Sequence, residues 1–243
     1  MAVTRRALET EQLVIVCYPL LAGGKFIINS LGLSPDAVFS NADMALRQLQ
    51  GKISTEDKLD YLHQKLDQAD RSSEWTDLDM NCPDLFGVWT NDWYSNYLDY
   101  TLSRANNVVD MLATSHYKFF YIAHNTIILD QLLSVWPNAR VIIFTDCAEI
   151  CKKRLAPDSP FAAHFDLWHE QYKANLPRAL FNRKPNQAFS LNAQVAFENW
   201  NNMYDTIDSL YRWLDLTPVD FNDLESYYTK WLHVTQKIKI QLL

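Results

Sequence analysis

Two glycines and a lysine, Gly23-Gly24-Lys25, close a short turn that opens at Pro19. Glycines at the start of a helix leave backbone N–H groups open to an anion, and an adjoining lysine adds a mobile full charge. The chemistry such a turn supports is phosphate binding by Ala22, Gly23, Gly24 and Lys25. The full nucleotide pattern is Gly, four residues, Gly-Lys and then Ser or Thr. It is only half met, because Pro19 stands at the first glycine and Phe26 at the metal-binding hydroxyl. A phenylalanine cannot ligate Mg²⁺, so the turn suits a metal-free phosphate ligand better than Mg-ATP. The alternative is an ordinary tight turn carrying a solvated lysine.

A second group with chemistry is His124, which stands directly after the apolar run Phe119–Ala123. An imidazole near its ordinary pKa of about 6.5 is mostly neutral at pH 7 and can accept a proton. A histidine at a strand end also serves simply by bonding a nearby carbonyl. Lys152, Lys153 and Arg154 together read either as charge for a phosphate or as a solvated helix face. Asp146 reads either as a strand-end carboxylate that organises Mg²⁺ in a kinase-like enzyme or as a helix N-cap. His164, His169 and Glu170 lack the His-Glu-x-x-His spacing and read as a solvated helix face. Cys147 and Cys151 lie four apart with no second pair at ligand spacing, so no metal is expected.

The elements that must position these residues follow from periodicity. Leu13–Tyr18 is a continuous apolar run, as expected of a parallel strand buried on both faces. With the glycine turn and a helix from Lys25 it forms the opening of a doubly wound fold. Helices are predicted over Asp43–Gln50 and Thr55–Asp70, an irregular stretch over Arg71–Asp99, and a helix over Ser103–Ser115. Phe119–Ala123 is a second strand, followed by a helix over Ile127–Trp136. Arg140–Thr145 is a third strand, followed by a helix from Cys147 and helices within Phe161–Phe181. Gln187–Leu191 is a weaker strand. Phe197, Trp200, Tyr204, Ile207, Tyr211 and Leu214 recur at helical spacing, and Phe221, Leu224, Tyr228 and Trp231 predict a last helix.

With 243 residues, no repeat and no linker, the chain reads as one three-layer α/β/α domain over 1–243. Its central sheet is mostly parallel and its C-terminal part helical. A net charge of −7 disfavours nonspecific nucleic-acid binding. No apolar run reaches the length of a membrane span, and residues 1–11 hold no apolar stretch. Four cysteines without a paired framework fit a reducing compartment, so a cytoplasmic protein is expected.

Three stretches, taken in order and spacing, resemble the sulfotransferase family. Val16-Cys-Tyr-Pro-Leu-Leu-Ala-Gly-Gly-Lys25 is similar to the family's Tyr-Pro-Lys/Arg-Ser-Gly-Thr-Thr loop, one residue longer. Tyr117-Lys-Phe-Phe-Tyr-Ile-Ala-His124 is similar to the strand ending in Lys-Thr-His. Trp136–Asp146 is similar to the Asn-Pro-Lys-Ala-Lys strand leading to Arg-Asp/Asn-Pro. The resemblance implies a P-loop NTPase-like fold and transfer of a sulfuryl group from 3′-phosphoadenosine 5′-phosphosulfate to an acceptor hydroxyl or amine. It implies His124 as the base and Lys25 at the bridging oxygen. The family's 3′-phosphate arginine and serine correspond to Thr145 and Lys153, so Thr145, Lys152, Lys153 and Arg154 are the residues available for that phosphate. Two other readings stand beside this one: a non-catalytic degenerate P-loop domain that binds a nucleotide or partner, and a small nucleotide or metabolite kinase.

Overall fold

The computed structural model describes residues 12–19, 21–39, 44, 47–48, 50–72, 117–123, 126, 129–156, 162, 165–181, 184 and 186–237. Along the chain these form β1 (Leu13–Cys17), α1 (Gly24–Gly32), α2 (Thr55–Ser72), β2 (Phe119–Ala123), α3 (Leu129–Val135), β3 (Arg140–Thr145), α4 (Ala148–Arg154), α5 (Phe165–Phe181), β4 (Ala188–Asn192), α6 (Ala193–Ala196), α7 (Trp200–Leu214) and α8 (Phe221–Lys237). The four strands make one sheet in the order β2-β1-β3-β4, with every pairing parallel.

β1 lies between two partners and is buried at all five positions. That is why its sequence, Leu-Val-Ile-Val-Cys, is apolar without alternation. Successive side chains nevertheless serve opposite faces. Val14 and Val16, with Ile142 and Phe144 of β3, enter a core shared with Phe26 and Ile27 of α1, Leu62 and Leu66 of α2, Ile207 and Leu210 of α7, and Trp231 of α8. Leu13, Ile15 and Cys17, with Val141 and Ile143, enter a second core built on Leu129 and Leu132 of α3 and Tyr172 and Ala179 of α5. Helices therefore cover both faces, giving the layered α/β arrangement with a helical C-terminal part that the strand–helix alternation predicts.

Local signals set the helix ends. Asn199 caps α7, its side chain accepting from the Asn202 N–H at 3.0 Å, and Asp215 ends the helix in the left-handed conformation at φ 58°. Asn192 caps α6 in the same way, through the Val195 N–H at 3.1 Å. The C-terminus of α1 has a less common device. The Lys58 Nζ donates to the carbonyl oxygens of Gly32, Ser34 and Ala37 at 2.9, 2.8 and 3.2 Å. That ammonium is 1 % exposed, satisfies carbonyls that a helix end leaves open, and places its charge where the helix dipole favours it. It also fixes residues 34–37, where Ala37 bridges Lys118 just ahead of β2.

The weak strand prediction near Gln187 corresponds to β4, and the predicted helix near 161–181 is observed as Phe165–Phe181. The helix predicted over Ser103–Ser115 and most of the predicted irregular stretch lie outside the described residues, as does half of the one over Asp43–Gln50.

Candidate functional site

All four strands run the same way, so their C-terminal ends share one edge of the sheet. Cys17 is level with Ala123 of β2 and with Ile143 of β3, and Thr145 is level with Asn192 of β4. In open α/β sheets this is the edge where ligands bind. The turn that leaves β1 is built there. The Tyr18 N–H donates to the Ala123 carbonyl at 3.0 Å, extending the ladder by one residue. The Ala22 N–H then donates to the Pro19 carbonyl at 3.1 Å, so that donor is engaged within the turn. Leu21 and Gly23 are both left-handed, at φ 70° and 87°, and α1 begins from Gly23 with no side-chain cap. The Phe26 N–H donates to the Gly23 carbonyl at 3.0 Å, so of the first-turn donors those ahead of Phe26 stand outside the helix's own ladder, at the sheet edge. Lys25 is half-buried on that first turn.

Three aromatic rings and one guanidinium hold the turn. A Cβ on Gly24 would lie 2.1 Å from Tyr18 Cδ1, so only a glycine lets that ring close on the helix start. A Cβ on Gly23 would lie 2.6 Å from Phe197 Cζ and 2.7 Å from Arg154 Nη1. A left-handed leucine is uncommon, and Leu21 is fixed from outside the turn. Its carbonyl accepts from Arg154 Nη1 at 2.8 Å. The guanidinium itself lies 5.0 Å from the Phe197 ring centre and 4.6 Å from that of Trp231. Phe26, at the position where a metal-binding hydroxyl would stand, is 1 % exposed and stacks on Tyr227 at 5.0 Å. It is a core residue.

The structure separates the other residues that the sequence grouped. The Thr145 hydroxyl donates to the Leu191 carbonyl at 3.3 Å, tying β3 to β4. Lys152 pairs with Asp166 of α5 at 3.1 Å on the surface, and this bond raises its pKa. Lys153 is exposed. Arg154 points inward to the glycine turn. One basic face on α4 is thus ruled out by helix geometry, since consecutive side chains point about 100° apart. Asp146 is not the N-cap of α4 that its position suggested. That place is taken by Cys147, without a side-chain cap bond, and Asp146 is left-handed at φ 50° with its Oδ2 accepting from Asn192 Nδ2 at 2.8 Å. His124 and His164 lie outside the described residues.

His169 and the cysteines behave differently from a solvated face and a ligand pair. His169 is 8 % exposed, its ring parallel to Phe165 at 5.7 Å, and burial lowers its pKa. Cys17, Cys147 and Cys151 are buried and form no disulfide, and desolvation pushes Cys151 up to about 12 and Cys147 higher still. Among the described residues no group of three His, Cys, Asp or Glu side chains is arranged to hold a metal ion.

Sequence reasoning missed Tyr172. Its phenol, buried on α5, lies 3.1 Å from the Cys17 carbonyl and 3.0 Å from that of Phe144, sharing one proton between the ends of β1 and β3. This hydroxyl locks the two strands that flank the turn. Its partner lies 155 residues away, and no local pattern could announce it. Phe197 and Trp231 were visible only as members of apolar helical faces.

No protein-family model matches the chain, and no curated protein matches it. Among the described residues, no helix is long and apolar enough to cross a membrane.

Proposed function

We propose that the glycine turn binds the phosphate end of a nucleotide and that the chain is a sulfotransferase-like P-loop protein. One observation carries this reading. A left-handed Gly23 starts α1 directly after the central strand, at the C-terminal sheet edge, with Lys25 on the first helical turn. An anion there meets the N–H groups of Gly23, Gly24 and Lys25, the positive end of the helix dipole and one ammonium.

For sulfuryl transfer, the acceptor's oxygen attacks sulfur as the bond to the bridging phosphate oxygen breaks. His124 takes the acceptor's proton, and Lys25 with the turn amides stabilises the charge left on the phosphate. The donor class, 3′-phosphoadenosine 5′-phosphosulfate, and the role of His124 rest on the sequence resemblance. A non-catalytic nucleotide-binding role is favoured by a separate observation. Thr145 is bonded to β4 and Arg154 to the turn, which removes two of the four residues available for a 3′-phosphate.

Thermal-shift measurement with adenosine 3′,5′-bisphosphate and then with ATP and Mg²⁺ tests the reading. Binding to the native state alone raises the melting point. The bisphosphate should do so, and Lys25→Ala should weaken it by about 1–3 kcal/mol, the scale of a charge-assisted hydrogen bond. No shift with either nucleotide would sink the proposal. A shift with Mg-ATP alone would favour the kinase alternative.

A further inference from the structure

We propose that Arg154 is the positioning residue of the glycine turn, and that its fixed charge makes a dianionic phosphate-bearing group the ligand class the turn accepts. This rests on the reading of the turn as a phosphate site and assigns Arg154 to the turn itself. The guanidinium lies against Gly23, with Nη1 2.7 Å from where a Cβ would stand, and holds the Leu21 carbonyl at 2.8 Å. The adjoining rings of Phe197 and Trp231 lie 5.0 and 4.6 Å from it. It has no carboxylate partner among the described ion pairs, whereas Lys152 is paired with Asp166. Burial lowers its pKa to about 10, and the titratable groups that act on it, the thiols of Cys151 and Cys147 and the phenol of Tyr228, are neutral at pH 7.

A cation partly withdrawn from water without a counterion is costly to a fold. Two aromatic faces and one carbonyl recover part of that cost, and a bound anion beside Gly23 recovers more. The guanidinium's rigid plane also explains why an arginine and not a lysine stands there. A planar fork can lie beside two adjoining rings while one N–H reaches a carbonyl, which a lysine's single ammonium does not reproduce. Lys25, on the first turn of α1, carries a second positive charge, so the site has two positive groups for a ligand with two negative ones.

Calorimetric titration of the full chain with AMP, which carries a dianionic phosphate and no 3′-phosphate, tests this. Wild type should bind. Arg154→Lys should bind at least tenfold more weakly, while Lys152→Ala with Lys153→Ala should stay within twofold. Arg154→Met should also show a flatter dependence of affinity on salt, which loss of a purely structural tether would not produce. Unchanged affinity in Arg154→Lys would overturn the assignment and leave the phosphate turn standing. Failure of wild type to bind either AMP or pyrophosphate would remove both. If the Arg154 variants do not fold, the Arg154 Nε–H resonance of the wild-type protein replaces them. It should shift on AMP binding, and a resonance that stays still while AMP binds would overturn the assignment.

Discussion

The ring of Tyr18 lies so close over the backbone of Gly24 that a side chain there would place its Cβ 2.1 Å from Cδ1 and 2.3 Å from Cγ. Tyr18 is 3 % exposed and tilts against Phe144 of β3 at 5.5 Å, so the ring cannot simply swing out. Gly24→Ala should therefore force the ring or the helix start to move, at a cost above about 2 kcal/mol, the scale of overpacking in a dense core. Tyr18→Ala opens the space. In that background the added cost of Gly24→Ala should fall by more than half, a non-additivity that urea unfolding of the four proteins would measure. Additive costs would mean that Tyr18 does not set the requirement for glycine.

Lys58 gives a pH dependence of definite sign. Burial lowers its pKa from 10.5 to about 8, opposed by Asp36. Between those values the unfolded chain binds a proton that the native state has released. Stability contributed by this group therefore increases as pH rises from about 8 to 10.5. That lowering sets a ceiling of about 3 kcal/mol. The three carbonyls on Nζ favour the ammonium and keep the observed change below that ceiling. Lys58→Met removes the titration and leaves those carbonyls without their donor, costing about 1–3 kcal/mol at pH 7. The stability of wild type minus variant should grow between pH 7.5 and 10. A difference that shrinks over that window would show that the carbonyl cage holds the lysine charged.

The parts of this fold that were legible in sequence are those with local causes. β1 and β3 read as buried strands because both faces are covered, so β1 is apolar throughout and β3 is polar only at its two ends, Arg140 and Thr145. α7 and α8 read correctly because each buries one continuous stripe. β4 was weak because it is an edge strand with only Leu191 fully buried. The glycine turn was legible as a turn, but its clamp was not. Adjacency grouped Arg154 with Lys152 and Lys153, whereas helix geometry sends the three side chains in different directions. One goes to Asp166 and one to Leu21, 133 residues back along the chain. Tyr172 and Tyr18 are used through tertiary contacts that a linear pattern does not encode.

His169 makes the fold sensitive to acid. Its ring is buried against Phe165, and Nδ1 has no hydrogen-bond partner among the described residues. Burial lowers its pKa below 6.5, helped by Lys173 and Lys152 and opposed by Glu170 and Asp166. His63 shifts the same way, chiefly through burial and then Lys230. For a base with a lowered native pKa, the unfolded chain takes up protons first as the solution is acidified. Stability from these residues is therefore complete above about pH 6.5 and is lost as pH falls through that value toward the native pKa. Phenylalanine at position 169 would keep the stack on Phe165 and remove the orphaned nitrogen, whose burial costs about 1–3 kcal/mol where no partner is found. His169→Phe should lie within about 1 kcal/mol of wild type at pH 7, because the larger ring offsets part of that gain. At pH 5.5 it should be the more stable of the two, by urea unfolding. Parallel stability curves for the two proteins between pH 7 and 5.5 would show that His169 protonates in place without strain.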